Sequence, residues 1–152
     1  MKHSEISQNK NKMSIIRIAP VCNGKIYVVP RVIEKGETPQ LDLPIVENVE
    51  HMSANPEKAA RKVKEKYHQH LRTDAMPRFC VMHRPKATRE STIHLYVLPL
   101  QEEDEVRFHG GEWVTEEDIS NRPEAYTPDL QTEGALLGMA AELWAEFHTT
   151  GE

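Results

Sequence analysis

Apolar and polar positions alternate with several different periods along this chain. Ser14 to Cys22 (SIIRIAPVC) and Lys25 to Ile33 (KIYVVPRVI) are β-rich runs on either side of Asn23-Gly24. An Asn-Gly pair between two apolar runs predicts a hairpin, because both residues tolerate positive φ. Pro20 and Pro30 each remove a ladder donor, which places them at edges, ends or bulges. In the second run, Ile26 and Val28 face one way and Tyr27, Val29 and Arg31 the other. Arg31 stands near the end of that run, aimed at solvent or into a cleft.

Glu34 to Gln40 is a loop by composition, and Leu41 to Pro44 is a short extended segment leading into a polar loop. A helix then starts with Asn55 as N-cap and Pro56 in the first helical position, where a missing N–H costs nothing. Ala59, Ala60, Val63 and Tyr67 recur at helical spacing and predict the buried face. Leu71 to Ala75 reads as a turn. Arg78 to His83 and Ser91 to Leu100 read as strands joined by an exposed tip, RPKATRE. The acidic run Gln101 to Glu105 reads as a solvated loop, and Val106 to Val114 holds a Gly-Gly turn followed by Trp113-Val114. Thr115 and Asp118 have capping-box spacing and predict a short helix. Asn121 to Pro128 reads as loop. From Glu133 to Phe147, the spacing of Leu136, Met139, Ala140, Leu143, Trp144 and Phe147 predicts an amphipathic helix packed on the sheet. This order implies an α+β or mixed-sheet domain with helices on its faces.

Composition narrows the class. Residues 1–12 are polar and are expected to form a disordered tail, leaving one domain over 13–152. Charged residues make up 28% and hydrophobic ones 38% of the chain, as in an ordinary soluble globular protein. The net charge of -5 and pI near 5.9 argue against general nucleic-acid binding, while leaving room for a local basic patch. No apolar run approaches the ~20 residues needed to span a bilayer, and the N-terminus lacks a signal-peptide core. The expectation is a cytoplasmic protein without membrane association. Cys22 and Cys80 lack metal-site spacing and read as buried thiols. No P-loop, dinucleotide fingerprint or Gly-x-Ser-x-Gly is present.

The order of segments, with particular residues, resembles the Nudix hydrolase fold from about Ser14 to Phe147. The first hairpin ends near an Arg (VVPR), LDLP looks like the strand leading into the Nudix box, and PEKAARKVKEKYH looks like the box helix. RFCVM, IHLYVLPL, GEWVTEEDI and the last amphipathic helix follow in the expected order. The resemblance implies an α+β fold in which a mixed β-sheet is flanked by helices as an α/β/α sandwich. It also implies a homodimer, since members often pair. The family's box pattern is Arg-Glu-apolar-x-Glu-Glu-x-Gly, whose glutamates bind Mg²⁺ or Mn²⁺ so that water can attack a diphosphate. On that pattern the Arg falls on Arg61, the apolar position on Val63 and the first paired acid on Glu65. The other acids fall on Lys62 and Lys66, the closing Gly on His68, and the double Gly after the proline on Ile45-Val46. The separate upstream Glu falls at Met52, Ser53 or Ala54.

Two carboxylates of the pattern are therefore ammonium groups. At ~4 Å and an effective dielectric near 20, a like-charge pair costs about 4 kcal/mol, and a divalent ion doubles that. The leading expectation is a degenerate Nudix box with no catalytic residues and no metal. The domain would bind a phosphorylated or nucleotide-like small molecule, or a protein partner, using Arg31, Arg61, Lys62, Glu65 and Lys66. A second reading is a hydrolase of nucleoside diphosphate derivatives that recruits Mg²⁺ through Glu47, Glu50, Glu65 and the acids of Glu102 to Glu105. A third is a structural domain with an empty cleft. Lys58, Lys62 and Lys66, spaced i, i+4, i+8, also fit a solvated face with local ion pairs such as Arg61 with Glu65. His68 and His70 suit a helix C-terminus better than a shared metal. Trp113 is read as core, or as a platform for a base.

Overall fold

A computed structural model describes residues 13–32, 35–67, 78–85, 90–107 and 110–150, with the backbone alone at 51, 78–85, 90–91, 107 and 144–150. The expectations for residues 1–12, the turn at Leu71 to Ala75, His68 and His70 lie outside the described residues, as does the middle of RPKATRE. The chain packs as two compact units, Met1–Ile18 with Ile45–Tyr96, and Ala19–Pro44 with Val97–Glu152. Strands β1 (Met13–Cys22) and β6 (Glu90–Pro99) run through both.

In the first unit, the Met13–Ile18 part of β1 pairs antiparallel with β4 (Ile45–Glu50), in register from Met13↔Glu50 to Ile18↔Ile45. Strand β5 (Arg78–Pro85) pairs antiparallel with β6 from Pro85↔Glu90 to Arg78↔Tyr96, with an irregularity between Arg78 and Cys80. Strand β4 corrects the polar loop expected there. Only Ile45 and Val49 of its six residues are buried, so the sequence shows no alternation to betray it. A 3-10 turn, His51–Ser53, leads into helix α1 (Pro56–Tyr67). The Asn55 side chain accepts from the Lys58 backbone N–H at 2.9 Å, satisfying a donor that the first turn leaves open. Ala59, Val63 and Tyr67 are fully buried, as their spacing predicts, whereas Ala60 is only half-buried.

In the second unit, the expected hairpin forms. Asn23 and Gly24 have φ of 52° and 79°, and Val21↔Ile26 and Cys22↔Lys25 pair across the turn. Ala19 and Pro20 belong to neither this ladder nor the β4 ladder, which suits a residue that cannot donate. Strand β2 (Lys25–Arg31) divides its pairing. Ile26 to Val28 face β7 (Glu112–Val114), and Val29 to Arg31 face β3 (Gln40–Asp42). Ile26, Tyr27 and Val28 are all buried, so this stretch is covered on both sides. Three helices follow: α2 (Asp104–Arg107), α3 (Glu116–Asn121) and α4 (Pro128–Thr150). The capping box at α3 is complete: Asp118 N donates to Thr115 Oγ1 at 3.1 Å and Thr115 N to Asp118 Oδ2 at 2.9 Å.

The last helix departs from its expected limits and face. It begins at Pro128, with Thr127 accepting from the Leu130 N–H through its hydroxyl and from the Gln131 N–H through its carbonyl. Leu130, Glu133, Leu137, Ala140 and Ala141 are buried, whereas Met139 and Leu143 are 65% and 58% exposed. Gly134 and Gly138 explain the rotation. A Cβ on Gly134 would lie 3.4 Å from Ile119 Cγ2, and one on Gly138 would lie 2.6 Å from Glu116 Cβ. Helix α3 thus rests on the small-residue face, along which Leu130 and Leu137 are also buried, while Met139 and Leu143 are left exposed.

Candidate functional site

In the first unit, strand β4 carries Glu47 and helix α1 carries Lys62 and Glu65. The Lys62 ammonium lies 3.2 Å from Glu47 Oε1 and 3.5 Å from Glu65 Oε2. Lys62 and Glu65 sit one helical turn apart, so their meeting follows from α-helical geometry. The contact with Glu47 requires β4 to lie beside α1. Glu47, Glu65 and Lys62 side chains are 42%, 56% and 20% exposed. The hydrogen bond from Lys62 to Glu47, with the charges of both carboxylates, holds the ammonium above the ordinary lysine range against a smaller opposing effect of burial. Lys62 is thus a resident cation between two acids. The expected pairing of Arg61 with Glu65 gives way to this arrangement.

Around this triad, Arg61, Lys64 and Lys66 are exposed and Lys58 is half-buried. Glu50 is exposed at the end of β4. Among the described residues, no group of three His, Cys, Asp or Glu side chains converges to hold a metal ion. A divalent ion beside Glu47 and Glu65 would have to displace a cation already paired with both. The residues present here do not fit a multi-carboxylate metal centre.

The second unit holds the remaining residues of interest. Arg31 Nε lies 3.5 Å from Asp42 Oδ2, and its Nη2 donates to the Leu43 carbonyl at 3.4 Å. Asp42 is 4% exposed and its Oδ1 also accepts from the Leu43 N–H at 2.8 Å. The Arg31 guanidinium is therefore engaged by β3 and the residue after it. Of the acids in Glu102 to Glu105, Glu103 pairs with Lys25 at 3.5 Å and Glu105 accepts from the Glu102 N–H at 3.0 Å. Trp113 is half-buried; its ring lies 5.2 Å from Tyr27 at a 57° tilt and its Nε1 donates to the Glu103 carbonyl at 3.3 Å. An open cavity of about 700 Å³ lies among Glu37, Thr38, Pro39, Glu124 and Ala125, and no sequence motif marks these residues.

No protein-family model matches the chain, and no curated protein sequence matches it. Solved structures do. The E. coli ORF135 protein superposes with a TM-score of 0.63 at 14% identity, over 86% of this chain and 91% of that one. A NUDIX hydrolase from Nitrosomonas europaea gives 0.58 at 12% identity, over 87% and 90%. The NUDIX domain of Shewanella oneidensis NrtR, solved as a complex with ADP ribose, gives 0.55 at 14% identity, over 91% and 99%. At these identities the likeness is one of fold, and it agrees with the segment order read from the sequence: the chain has an α+β Nudix fold.

Proposed function

We propose that this chain is a catalytically degenerate Nudix-fold domain that binds a phosphorylated or nucleotide-like ligand as a binding or regulatory module. The observation that carries this reading is the position of Lys62 between Glu47 and Glu65. Its ammonium neutralises charge that would otherwise call for a metal ion. Arg61 and Lys66, exposed on the same helix, remain to meet an anion. A guanidinium offers paired donors to phosphate oxygens, and an ammonium offers a compact charge. Glu65 fixes Lys62 in place. The ADP ribose bound by the NUDIX domain of NrtR supplies the ligand class to try first. No helix among the described residues is long and apolar enough to cross a membrane.

A thermal-shift panel of nucleotides, nucleoside diphosphate conjugates and ADP ribose, each with and without Mg²⁺, tests the proposal. A ligand at about a hundred times its Kd stabilises by about 2.7 kcal/mol. Stabilisation without Mg²⁺ that is lost in a Lys66→Ala, Arg61→Ala double variant supports the reading. Stabilisation that requires Mg²⁺, or turnover of the ligand, overturns it in favour of a hydrolase, and no shift with any compound overturns it in favour of a structural domain.

A further inference from the structure

Helix α4 carries two apolar faces, and only one of them is covered. At about 100° per residue, Leu130, Leu137 and Ala141 fall on one side, where all three are buried. Thr132, Ala135, Met139 and Leu143 fall on the opposite side, and all four are exposed. Their spacing of three and four residues makes a continuous stripe. Of the large apolar side chains exposed among the described residues, Met139 and Leu143 alone share an element, and they lie one turn apart. A surface helix ordinarily turns charge to solvent along that side. Here Glu142 borders the stripe, and no charged side chain interrupts it from Thr132 to Leu143.

The setting is acidic. After Arg107, Arg122 is the only Lys or Arg in the chain. Between Pro128 and Leu143, helix α4 carries Asp129, Glu133 and Glu142 and no cation. Helix α3, whose Glu116 stem meets Gly138, brings Glu117 and Asp118, both exposed.

We propose that the exposed stripe of α4 docks an amphipathic helix of another protein, one whose apolar seam is flanked by Lys and Arg. A stripe on one helix is a ridge, and such ridges pack into the grooves of a facing helix at about 8 to 10 Å between axes. The small side chain of Ala135 permits that approach. From Thr132 to Leu143 the ridge is about 17 Å long and about 10 Å wide. That matches three turns of a partner helix and falls well short of the about 800 Å² per partner that a standing protein interface covers. A second copy of this chain would also bring the same acids against this face, and like charges oppose such a contact. A helix flanked by Lys and Arg instead sets opposite charge beside Glu142 while its seam covers Met139 and Leu143. The proposal stands independently of the ligand reading, because neither the stripe nor Glu142 belongs to the proposed ligand set.

Fluorescence anisotropy on the full chain tests this with a labelled synthetic helix. The probe carries Leu at alternating three- and four-residue spacing and Lys and Arg on both flanks. One control replaces every Lys and Arg with Glu, and a second scrambles the order so that no seam forms. The wild-type chain should bind the basic probe with a Kd on the order of 10 μM and bind both controls at least about tenfold more weakly. Met139→Gln with Leu143→Gln should weaken binding of the basic probe at least about tenfold, as loss of two central anchors does. Gln is a good helix former and both positions are exposed, so the melting temperature should stay near that of wild type. Glu142→Lys keeps the stripe and should weaken the basic probe while strengthening the Glu-flanked one. Absence of binding up to about 1 mM, near -4 kcal/mol, overturns the proposal. So does equal binding of either control, or unchanged binding by folded variants. Sedimentation velocity showing self-association that the Gln pair abolishes also overturns it, as does stronger partition of the chain onto phosphatidylcholine vesicles than onto the basic probe.

Discussion

Lys62 ties helix to strand through Glu47, its Nζ 3.2 Å from the Glu47 carboxylate, while the same ammonium reaches Glu65 at 3.5 Å. Removing that cation should change what this site can hold. Lys62→Glu would gather three carboxylates where the native chain has two and an ammonium. Without metal the variant should melt below wild type, because like charges then face each other. Millimolar Mn²⁺ or Mg²⁺ should raise its melting temperature and leave that of wild type unchanged, since a cation that binds only the folded state stabilises it. Lys62→Met, which removes the charge without adding a carboxylate, should respond less. Differential scanning fluorimetry across a cation series reads all three. An equal response in wild type and Lys62→Glu would mean that Lys62 does not govern cation access.

Cys22 gives a pH signature. The thiol is 1% exposed and its pKa is pushed up from 9.0 to about 11, chiefly by burial and secondarily by Glu103, Glu105 and Glu102. In the unfolded chain the proton leaves near pH 9; in the folded chain it is held to about pH 11. The unfolded state therefore binds fewer protons in that window, and stability falls as pH rises through it. The contribution is complete below pH 9 and declines by about 2 to 3 kcal/mol by pH 11. Urea unfolding at several alkaline pH values should show this slope in wild type and a shallower one in Cys22→Ala, which has no thiol to ionise.

What the sequence made legible was local. The Asn23-Gly24 turn, the Asn55 cap with Pro56, the Thr115–Asp118 box and the buried stripe Ala59, Val63, Tyr67 all depend on residues within a turn or two of each other. What it hid depends on partners far along the chain. Strand β4 buries little and is defined by its ladder with β1, so Glu47 reads as loop until that ladder exists. The Lys62–Glu47 contact was hidden for the same reason, although the i, i+3 half of the triad was within reach of helical spacing. The face of α4 is hard to read because burial there does not follow apolar character: Met139 and Leu143 are exposed, while Leu130, Gly134, Leu137 and Gly138 are buried. Gly134 and Gly138 carry no hydrophobic signal, yet they decide which side α3 covers. The start of that helix was available in Thr127-Pro128, a cap followed by proline in the first helical position.

Gly111 should tolerate no side chain. Its N–H donates to the Tyr27 hydroxyl at 2.7 Å, which brings its backbone against β2. A Cβ there would run into the Val28 carbonyl oxygen and approach Tyr27 Cζ and Val29 Cγ1 to 2.8 Å. The obstacle includes backbone, which cannot swing aside as a side-chain tip can. Gly111→Ala should cost at least about 2 to 3 kcal/mol, the upper range for forced overpacking. Gly110 is the control. It has φ of 82° with nothing within 4 Å of an added Cβ, so Gly110→Ala should cost only the backbone strain, about 1 kcal/mol. Urea unfolding of the two variants should separate them; equal losses would mean that the Tyr27 contact does not confine Gly111.

Gly134 and Gly138 make a second graded pair, one helical turn apart on α4. An added Cβ at Gly138 would lie 2.6 Å and 2.8 Å from Glu116 Cβ and Cγ, whereas one at Gly134 would sit at 3.4 Å from Ile119 Cγ2. Alanine in a helix interior gains about 1 kcal/mol over glycine from propensity alone. At Gly134 that gain opposes a slight crowding, so Gly134→Ala should leave stability within about 1 kcal/mol of wild type in either direction. At Gly138 the crowding falls on the stem of Glu116, which is fixed to the α3 backbone and cannot rotate away. Gly138→Ala should therefore lose about 1 to 3 kcal/mol despite the propensity gain. Glu116→Gly in the Gly138→Ala background should recover part of that loss by removing the obstructing atoms, at the cost of an added glycine in α3. A double-mutant cycle measures the coupling directly. A coupling near zero would show that α3 does not rest on Gly138, and the exposed Met139 and Leu143 would then need another explanation than the one drawn from this contact.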